Sequence, residues 1–341
     1  MNKITVDVTL GLQYGDEAKG KVTHFLASGG RGNLYSHVIR VAGGQNAGHT
    51  IYHKGKKYAT HIIPAGVFHG IKSVIGPGCV FNVNGLLKEI QEVESQGEVD
   101  VMKHLRIAAN SHIITEAHLA EEQGETAVGT TKRGNGPAYR DKYARKGLRA
   151  EQALKGTVLE PLVIDMYEEF YKTDPHNPKR VLVEGAQGFF LDVDWGDYPY
   201  VTSSHCGLGG VFLNGFTHKQ IDTVYGVAKC YETYVGAKEF EDRSNPILSK
   251  IQEVGKEIGV TSGRRRQCNY LNLDRLLKAC DMNAVDILII SKLDVLREVG
   301  EWSLFHNAEL KHLQTEERFR EYTESALKSV QIKWSDSPER I

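Results

Sequence analysis

The chain has 341 residues, 40% hydrophobic and 25% charged, with a formal net charge of −1. That make-up buries a sizeable core, and we read residues 1–341 as a single domain of a globular protein. The near-neutral balance gives no global case for nucleic acid or a membrane surface as a partner, and no apolar stretch approaches the roughly 20 residues a membrane helix needs. Five cysteines lie scattered without CxxC spacing, which excludes a zinc pattern among them and fits reduced thiols in a cytoplasmic protein. The first residues run straight into a strand, so no leader segment is expected.

Ile4 to Leu10 alternates well enough for a strand entering a core, and Val22, Phe25 and Leu26 are spaced as one face of a short helix. Between them stands Gly15-Asp16-Glu17-Ala18-Lys19-Gly20-Lys21. Strand, glycine loop and helix together bind phosphate, because N–H groups at the helix start point outward and the helix dipole favours an anion. The Gly-x4-Gly-Lys spacing matches nucleotide phosphate loops. Val22 stands where a magnesium-holding hydroxyl belongs, and Asp16 and Glu17 would repel a phosphate. The acids make sense if one ligates a metal or takes a proton from a second substrate beside the phosphate. A surface turn is the alternative.

Ser36 to Val41 reads as a second strand, running into Gly43-Gly44-Gln45-Asn46-Ala47-Gly48-His49-Thr50. Its small residues let backbone approach a ligand, and His49 is a candidate proton donor or an incidental turn histidine. Strands are expected at 58–63, 73–75, 105–108 and 113–115, and helices at 86–93, 118–124 and 163–171. In 128–137 hydroxyls, basic groups and glycines alternate as in a second phosphate loop. A solvated basic loop and a single-strand nucleic acid groove using Tyr139 and Tyr143 are the competing readings. Arg180 to Glu184 is a strand, and Gln187 after it can pair with a base edge through its amide. Gly259 to Arg266 carries three arginines after small hydroxyl residues. This suits a dicarboxylate or phosphate, or is a basic surface run. A helix is expected at 271–279. Val285 to Ile290 is a buried strand delivering Lys292-x-Asp294 at its carboxyl end, where a carboxylate can read guanine or cap a helix. The last forty residues read as a polar helix and a tail.

Seven separated blocks between residues 11 and 296 resemble, in order, the motifs of the adenylosuccinate synthetase family. They include 11–21, Asn46 to Thr50, 128–137, Glu184 to Gly188, Tyr198 to Ser204, the arginine loop and Lys292-x-Asp294. The chain is similar to the compact archaeal and phage-encoded members, about a hundred residues shorter than most. The resemblance implies an α/β fold with a mostly parallel central sheet flanked by helices, around a phosphate-loop-like nucleotide site. It implies a ligase joining L-aspartate to the 6-position of a purine nucleoside monophosphate, with IMP, GTP and Mg2+ expected. A phage-type variant accepting GMP or dGMP, with ATP as donor, is the alternative. A GTP-binding regulatory protein is another.

The resemblance also distributes roles. Asp16 takes the N1 proton, His49 supports the transferring phosphoryl group, and Gln187 completes the catalytic set. Gly15, Glu17, Ala18, Lys19, Gly20, Lys21, Gly48, Thr50, Lys292 and Asp294 hold the nucleoside triphosphate. Asp16 and the Gly48 carbonyl ligate magnesium. Asn46, Thr130, Thr131, Gln187, Thr202 and Val235 contact the acceptor or its neighbours, and Thr261, Ser262, Arg264 and Arg266 hold aspartate. Arg145 is expected to reach the acceptor phosphate of a neighbouring subunit in a homodimer. There are departures. Ala18 replaces a glycine, which requires a backbone outside the positive-φ region. Tyr234 replaces an arginine. The tail Ser335-Asp336-Ser337 lacks the glycine expected beside guanine.

Overall fold

The computed structural model describes residues 4–29, 35–125, 128–172, 178–242, 244–259 and 263–337. Its frame is a nine-stranded sheet. We number the strands β1 (Ile4–Gly11), β2 (His37–Arg40), β3 (Lys72–Ile75), β4 (Leu105–Ala108), β5 (Val163–Ile164), β6 (Lys179–Glu184), β7 (Ile221–Lys229), β8 (Ile287–Ser291) and β9 (Gln331–Trp334). Across the sheet the order is β9-β8-β7-β1-β6-β2-β3-β4-β5, and every pairing is parallel. The expected α/β class with a mostly parallel sheet is what the chain adopts.

A parallel sheet is covered on both faces, so its central strands are apolar almost throughout. Val6, Val8 and Leu10 of β1 pack with Val181, Val183 and Leu288 on one face. Val22 and Leu26 of helix α1 (Lys19–Ala27) pack with Val38, Leu182, Tyr225 and Val227 on the other. The charged exception inside β1 is Asp7, fully buried and paired with Arg180 at 2.8 Å and with the Tyr35 hydroxyl at 2.5 Å. A second core lies beneath β3 and β4, where Leu86, Ile90 and Val93 of the helix Val83–Glu94 pack with Ile75, Leu105 and Ile107.

The sheet order places the carboxyl ends of β1, β2, β6, β7 and β8 along one rim. Gly11, Arg40, Glu184, Lys229 and Ser291 end those strands. In an open parallel sheet this rim is where ligands bind.

Several expectations are corrected. Val163 to Tyr171 is not one helix: Val163–Ile164 forms edge strand β5, and Asp165 caps a helix over Met166–Tyr171. The stretch 271–279 splits into a strand, Gln267–Asn272, and a helix, Leu273–Met282, capped by Asn272. The tail contributes β9, which pairs with β8. A further four-stranded sheet joins Tyr231–Tyr234, Gln267–Asn272, Ser303–His306 and Glu309–His312. The strand expected to reach Ile63 ends at Thr60, in a hairpin with His49–His53.

Candidate active site

The first loop is held from behind by its own acid. Glu17 is fully buried, and its carboxylate accepts from the backbone N–H of Gln13 at 3.1 Å and of Gly15 at 2.8 Å. The other oxygen pairs with Lys19 at 2.6 Å. Glu17 thus shapes the loop, so any contact of this residue with a triphosphate falls to its backbone. Asp16 and Ala18 both take positive φ, 61° and 79°. Ala18 is the left-handed N-cap of α1, so the expectation that its backbone avoids that region is wrong. The methyl group stands where only glycine is at ease, at a cost of about 1 kcal/mol. Gly20 is required: a Cβ there would lie 2.6 Å from the Cβ of His49.

His49 opens the hairpin beside this loop. Its Nδ1 lies 2.5 Å from Glu184 Oε1 and 3.1 Å from an Arg40 guanidinium nitrogen. Arg40 and Glu184 are directly paired positions at the ends of β2 and β6, joined at 2.9 Å. Burial, then the nearby Arg40 charge, pulls the imidazole down to about 4, although Glu184 opposes them. Burial works against the Glu184 charge, but His49, Arg40 and the Ala65 N–H hold that carboxylate below its usual range. The neutral ring donates Nδ1–H to the carboxylate, which leaves Nε2 for chemistry.

A cavity of about 680 Å³ opens over these groups, ample for a nucleotide-sized ligand. Gly15, Asp16 and Lys19 line it from the first loop, and Asn46, Gly48 and His49 from the second segment. Gly129, Thr130 and Thr131 line it from the basic loop, with Gln187, Thr202 and Val235. Gly259 brings the arginine loop to the same cavity. Thr261 and Ser262 lie outside the described residues. Three loops distant in sequence therefore meet at one cleft with the Asp16 carboxylate in its wall. Gln187 (φ 50°) donates to Asn46 at 3.0 Å.

Other expected residues stand elsewhere. Arg264 does not line the cleft; it donates to the carbonyls of Gly129 at 3.1 Å and Thr130 at 2.6 Å, tying the arginine loop to the basic loop. Arg266 is buried, 2.9 Å from Asp16 and paired with Glu257. Glu257 also pairs with Lys229 at 3.1 Å. These cations, with Lys292 and the Tyr231 hydroxyl, overcome its burial and hold it at about 2. The assignment of Arg266 to aspartate alone is thus incomplete, because its guanidinium already links Asp16 to a buried carboxylate.

Lys21 donates to the Ser335 hydroxyl and the Ser337 carbonyl, each at 2.6 Å, so it meets the tail instead of the main cleft. Burial pulls it down to about 8, against the attraction of Asp294 and Asp336. Thr50 lines a smaller neighbouring cavity together with Lys21. Lys292 is the left-handed N-cap of helix α2 (Leu293–Val299), and Asp294 lies in its first turn. The Lys292 ammonium donates to the Gly255 carbonyl at 3.1 Å. Arg145 is exposed, with φ 63°, and is not part of the cleft of its own chain.

Sequence reasoning passed over Arg40, Glu184 and Glu257 as functional. A charged residue ending an apolar strand, as in Val38-Ile39-Arg40 and Val181-Leu182-Val183-Glu184, was the signal. It also missed Asn135, which is buried and lines the cleft with neither amide atom hydrogen-bonded among the described residues. The cleft offers hard oxygen donors, the Asp16 carboxylate and the Gly48 carbonyl, which suit magnesium.

A parallel sheet carrying a glycine phosphate loop, a buried histidine–carboxylate pair and two basic loops on one rim defines a nucleotide-dependent transferase or ligase. The family model of adenylosuccinate synthetase matches residues 8–163 and 153–337. The adenylosuccinate synthetase of Chlorobium chlorochromatii is 38% identical, covering 86% of this chain and 77% of that protein. That of Salinibacter ruber is 37% identical, covering 87% and 79%. The fully ligated adenylosuccinate synthetase of Plasmodium falciparum superposes with a TM-score of 0.86 at 28% identity, over 99% of this chain and 98% of that one. The succinoaminodeoxyadenylate synthetase of cyanophage S-2L, bound to dGMP and dATP, shares the fold with a TM-score of 0.77 at 19% identity, over 98% and 93%. The chain belongs to the adenylosuccinate synthetase family, and it is a ligase forming a carbon–nitrogen bond. No helix among the described residues is long and apolar enough to cross a membrane.

Proposed function

We propose that this enzyme joins L-aspartate to C6 of IMP at the expense of GTP, through a 6-phosphoryl purine. The observation that carries the reading is the lining of one cleft by Asp16, Lys19, His49, Thr130, Thr131 and Gln187. Asp16 accepts the N1 proton of the purine, and the 6-oxygen then attacks the γ-phosphorus as the β–γ bridging bond breaks. The aspartate amine next attacks C6, and phosphate leaves with the former 6-oxygen. Base and phosphoryl donor must meet at one point, because positioning dominates phosphoryl transfer. This explains an acid inside a phosphate loop.

His49 is held neutral where it lines the cleft. The charge of a bound triphosphate favours its protonated form, whose Nε2–H donates to the transferring group while Glu184 holds Nδ1. Lys19 neutralises phosphate charge. Asp16 and the Gly48 carbonyl would hold magnesium, which when bound neutralises the phosphate oxygens. Asp16 would have to leave its contact with Arg266 to do so, and that guanidinium would then be available to a carboxylate of aspartate. Thr130 and Thr131 receive the acceptor phosphate, and Arg145 of a second copy completes that site in a homodimer. Asn135, whose amide has no partner among the described residues, supplies one more contact to the acceptor. Lys292 and Asp294 read guanine.

The test crosses IMP, GMP and dGMP with GTP and ATP in the presence of aspartate and Mg2+, following succinyl-purine absorbance. The expected outcome is turnover with IMP and GTP above every other pair. Preferential use of GMP or dGMP would replace the acceptor, and preferential use of ATP the donor. Nucleotide hydrolysis that needs neither monophosphate nor aspartate would sink the ligase mechanism itself.

A further inference from the structure

Outside the cleft, three histidines from three elements come together. His24 sits on α1, His53 ends the hairpin strand His49–His53, and His69 ends the short helix Ala65–His69. One nitrogen of each lies within 4.8 Å of the others. The closest pair, His24 Nε2 and His53 Nδ1, is hydrogen-bonded at 3.3 Å, a bond that a metal ion between the two nitrogens would replace. Two nitrogens each about 2.0–2.1 Å from one zinc ion in tetrahedral geometry lie about 3.3 Å apart.

Ring packing alone leaves a residue of unmet chemistry. The His24 and His69 centroids are 4.4 Å apart, and Phe68 closes the group on one side, 6.1 Å from His24 and 5.6 Å from His53. Yet His69 Nε2 is buried without a hydrogen-bond partner among the described residues. A buried nitrogen left so is unfavourable, and a cation coordinated there relieves it. The apolar wall and mutual proximity keep all three rings in the neutral form that ligates metals. Burial depresses each of them: His24 to about 3, His69 to about 4, and His53 in the same direction. A cavity of about 260 Å³ reaches His24 alone of the three, beside Thr50 and Lys54.

We propose that His24, His53 and His69 form a three-imidazole site for a zinc-type divalent transition metal, with water in the fourth position, separate from the magnesium site in the cleft. Imidazole nitrogens select zinc, cobalt or nickel over magnesium, which prefers oxygen. Because α1 starts at the phosphate loop and the hairpin starts at His49, the ion clamps the helix behind the loop to the strand that carries the histidine.

The test uses the untagged full chain, stripped with a chelator, then titrated with Co2+ by visible absorbance and with Zn2+ by competition against a chromophoric chelator. One Co2+ per chain with the intense visible bands of a tetrahedral site is expected. Zn2+ at a hundredfold excess over its dissociation constant should raise the thermal midpoint by about 4 °C. H53Q and H69Q, on different elements, should each weaken binding about a hundredfold or more and abolish the bands. If either variant folds and binds Co2+ as the parent does, or if the parent gives only weak octahedral-type bands, the site is not there.

Discussion

The glycine loop and the basic loop, which both line the cleft, are braced alike, but over different ranges. Glu17 holds the first loop from within, through N–H groups two and four residues away. Glu122 holds the basic loop from outside, accepting from the N–H of Gly134 and, at 3.4 Å, of Gly136. The first loop grows directly out of central strand β1, whereas the second leans on a separate helix and on Arg264 from a third segment. In both loops a buried carboxylate fixes backbone N–H groups of the loop. The local brace makes the first loop rigid by construction. The distant braces make the second dependent on the rest of the molecule being in place.

The sharpest way to break that contrast is E17Q. It leaves the Lys19 ammonium buried without its counter-charge, and loss of one partner of such a pair costs about 3–5 kcal/mol. Chemical denaturation should show the loss. An unchanged midpoint would mean that the first loop is not held from within.

Acid acts on the same side of the cleft. The His49 ring titrates at about 4 when folded, against about 6.5 when unfolded. As pH falls through 6.5 the unfolded chain takes up a proton that the folded chain refuses until about 4. Stability should therefore fall across that window, by about 3 kcal/mol from this ring, and level off below it. Denaturation at a series of pH values in the parent and in H49Q isolates the contribution, since the variant should lose that much of the slope.

Asp16 tests chemistry instead of support. D16A should lower turnover at least about a hundredfold, as loss of a general base does, while the fold survives. Near-normal turnover in steady-state assays would defeat the proposed mechanism. On the distant side, R264A removes two bonds to loop carbonyls and should raise the KM for aspartate or the acceptor about tenfold, with little change in thermal midpoint. A large fall in midpoint with unchanged KM would make Arg264 a purely structural tie. The smallest effect belongs to A18G, which relieves the positive φ of the helix cap and should stabilise by about 0.5–1 kcal/mol in the same denaturation assay.

Much of this was legible along the chain. Central strands buried on both faces must be apolar nearly throughout, so β1, β6 and β8 announced themselves. The glycine loop was visible because spacing and small residues are local properties. The edges were not. β9 is four residues, Gln331-Ile332-Lys333-Trp334, with only alternate positions partly buried, too short and too polar for periodicity to separate from a tail. β5 is two residues running into a capped helix, and the helical pattern after it swallowed the strand. The site divides the same way. Asp16, His49 and the threonines of the basic loop could be named from motifs. The Arg40–His49–Glu184 group and the Asp16–Arg266–Glu257 chain join residues from 9 to 250 positions apart, and no local pattern carries that information.

The amino-acid sequence by itself determined the class of fold, the phosphate loop and the residue types available for catalysis, because these rest on hydrophobic period, glycine spacing and side-chain chemistry over a few neighbours. Only the tertiary structure decided which charges meet. Arg266 stands against Asp16, Lys21 is held by Ser335, and three histidines from three elements cluster. Such contacts are set by the order of strands in the sheet and by what burial obliges each charge to find.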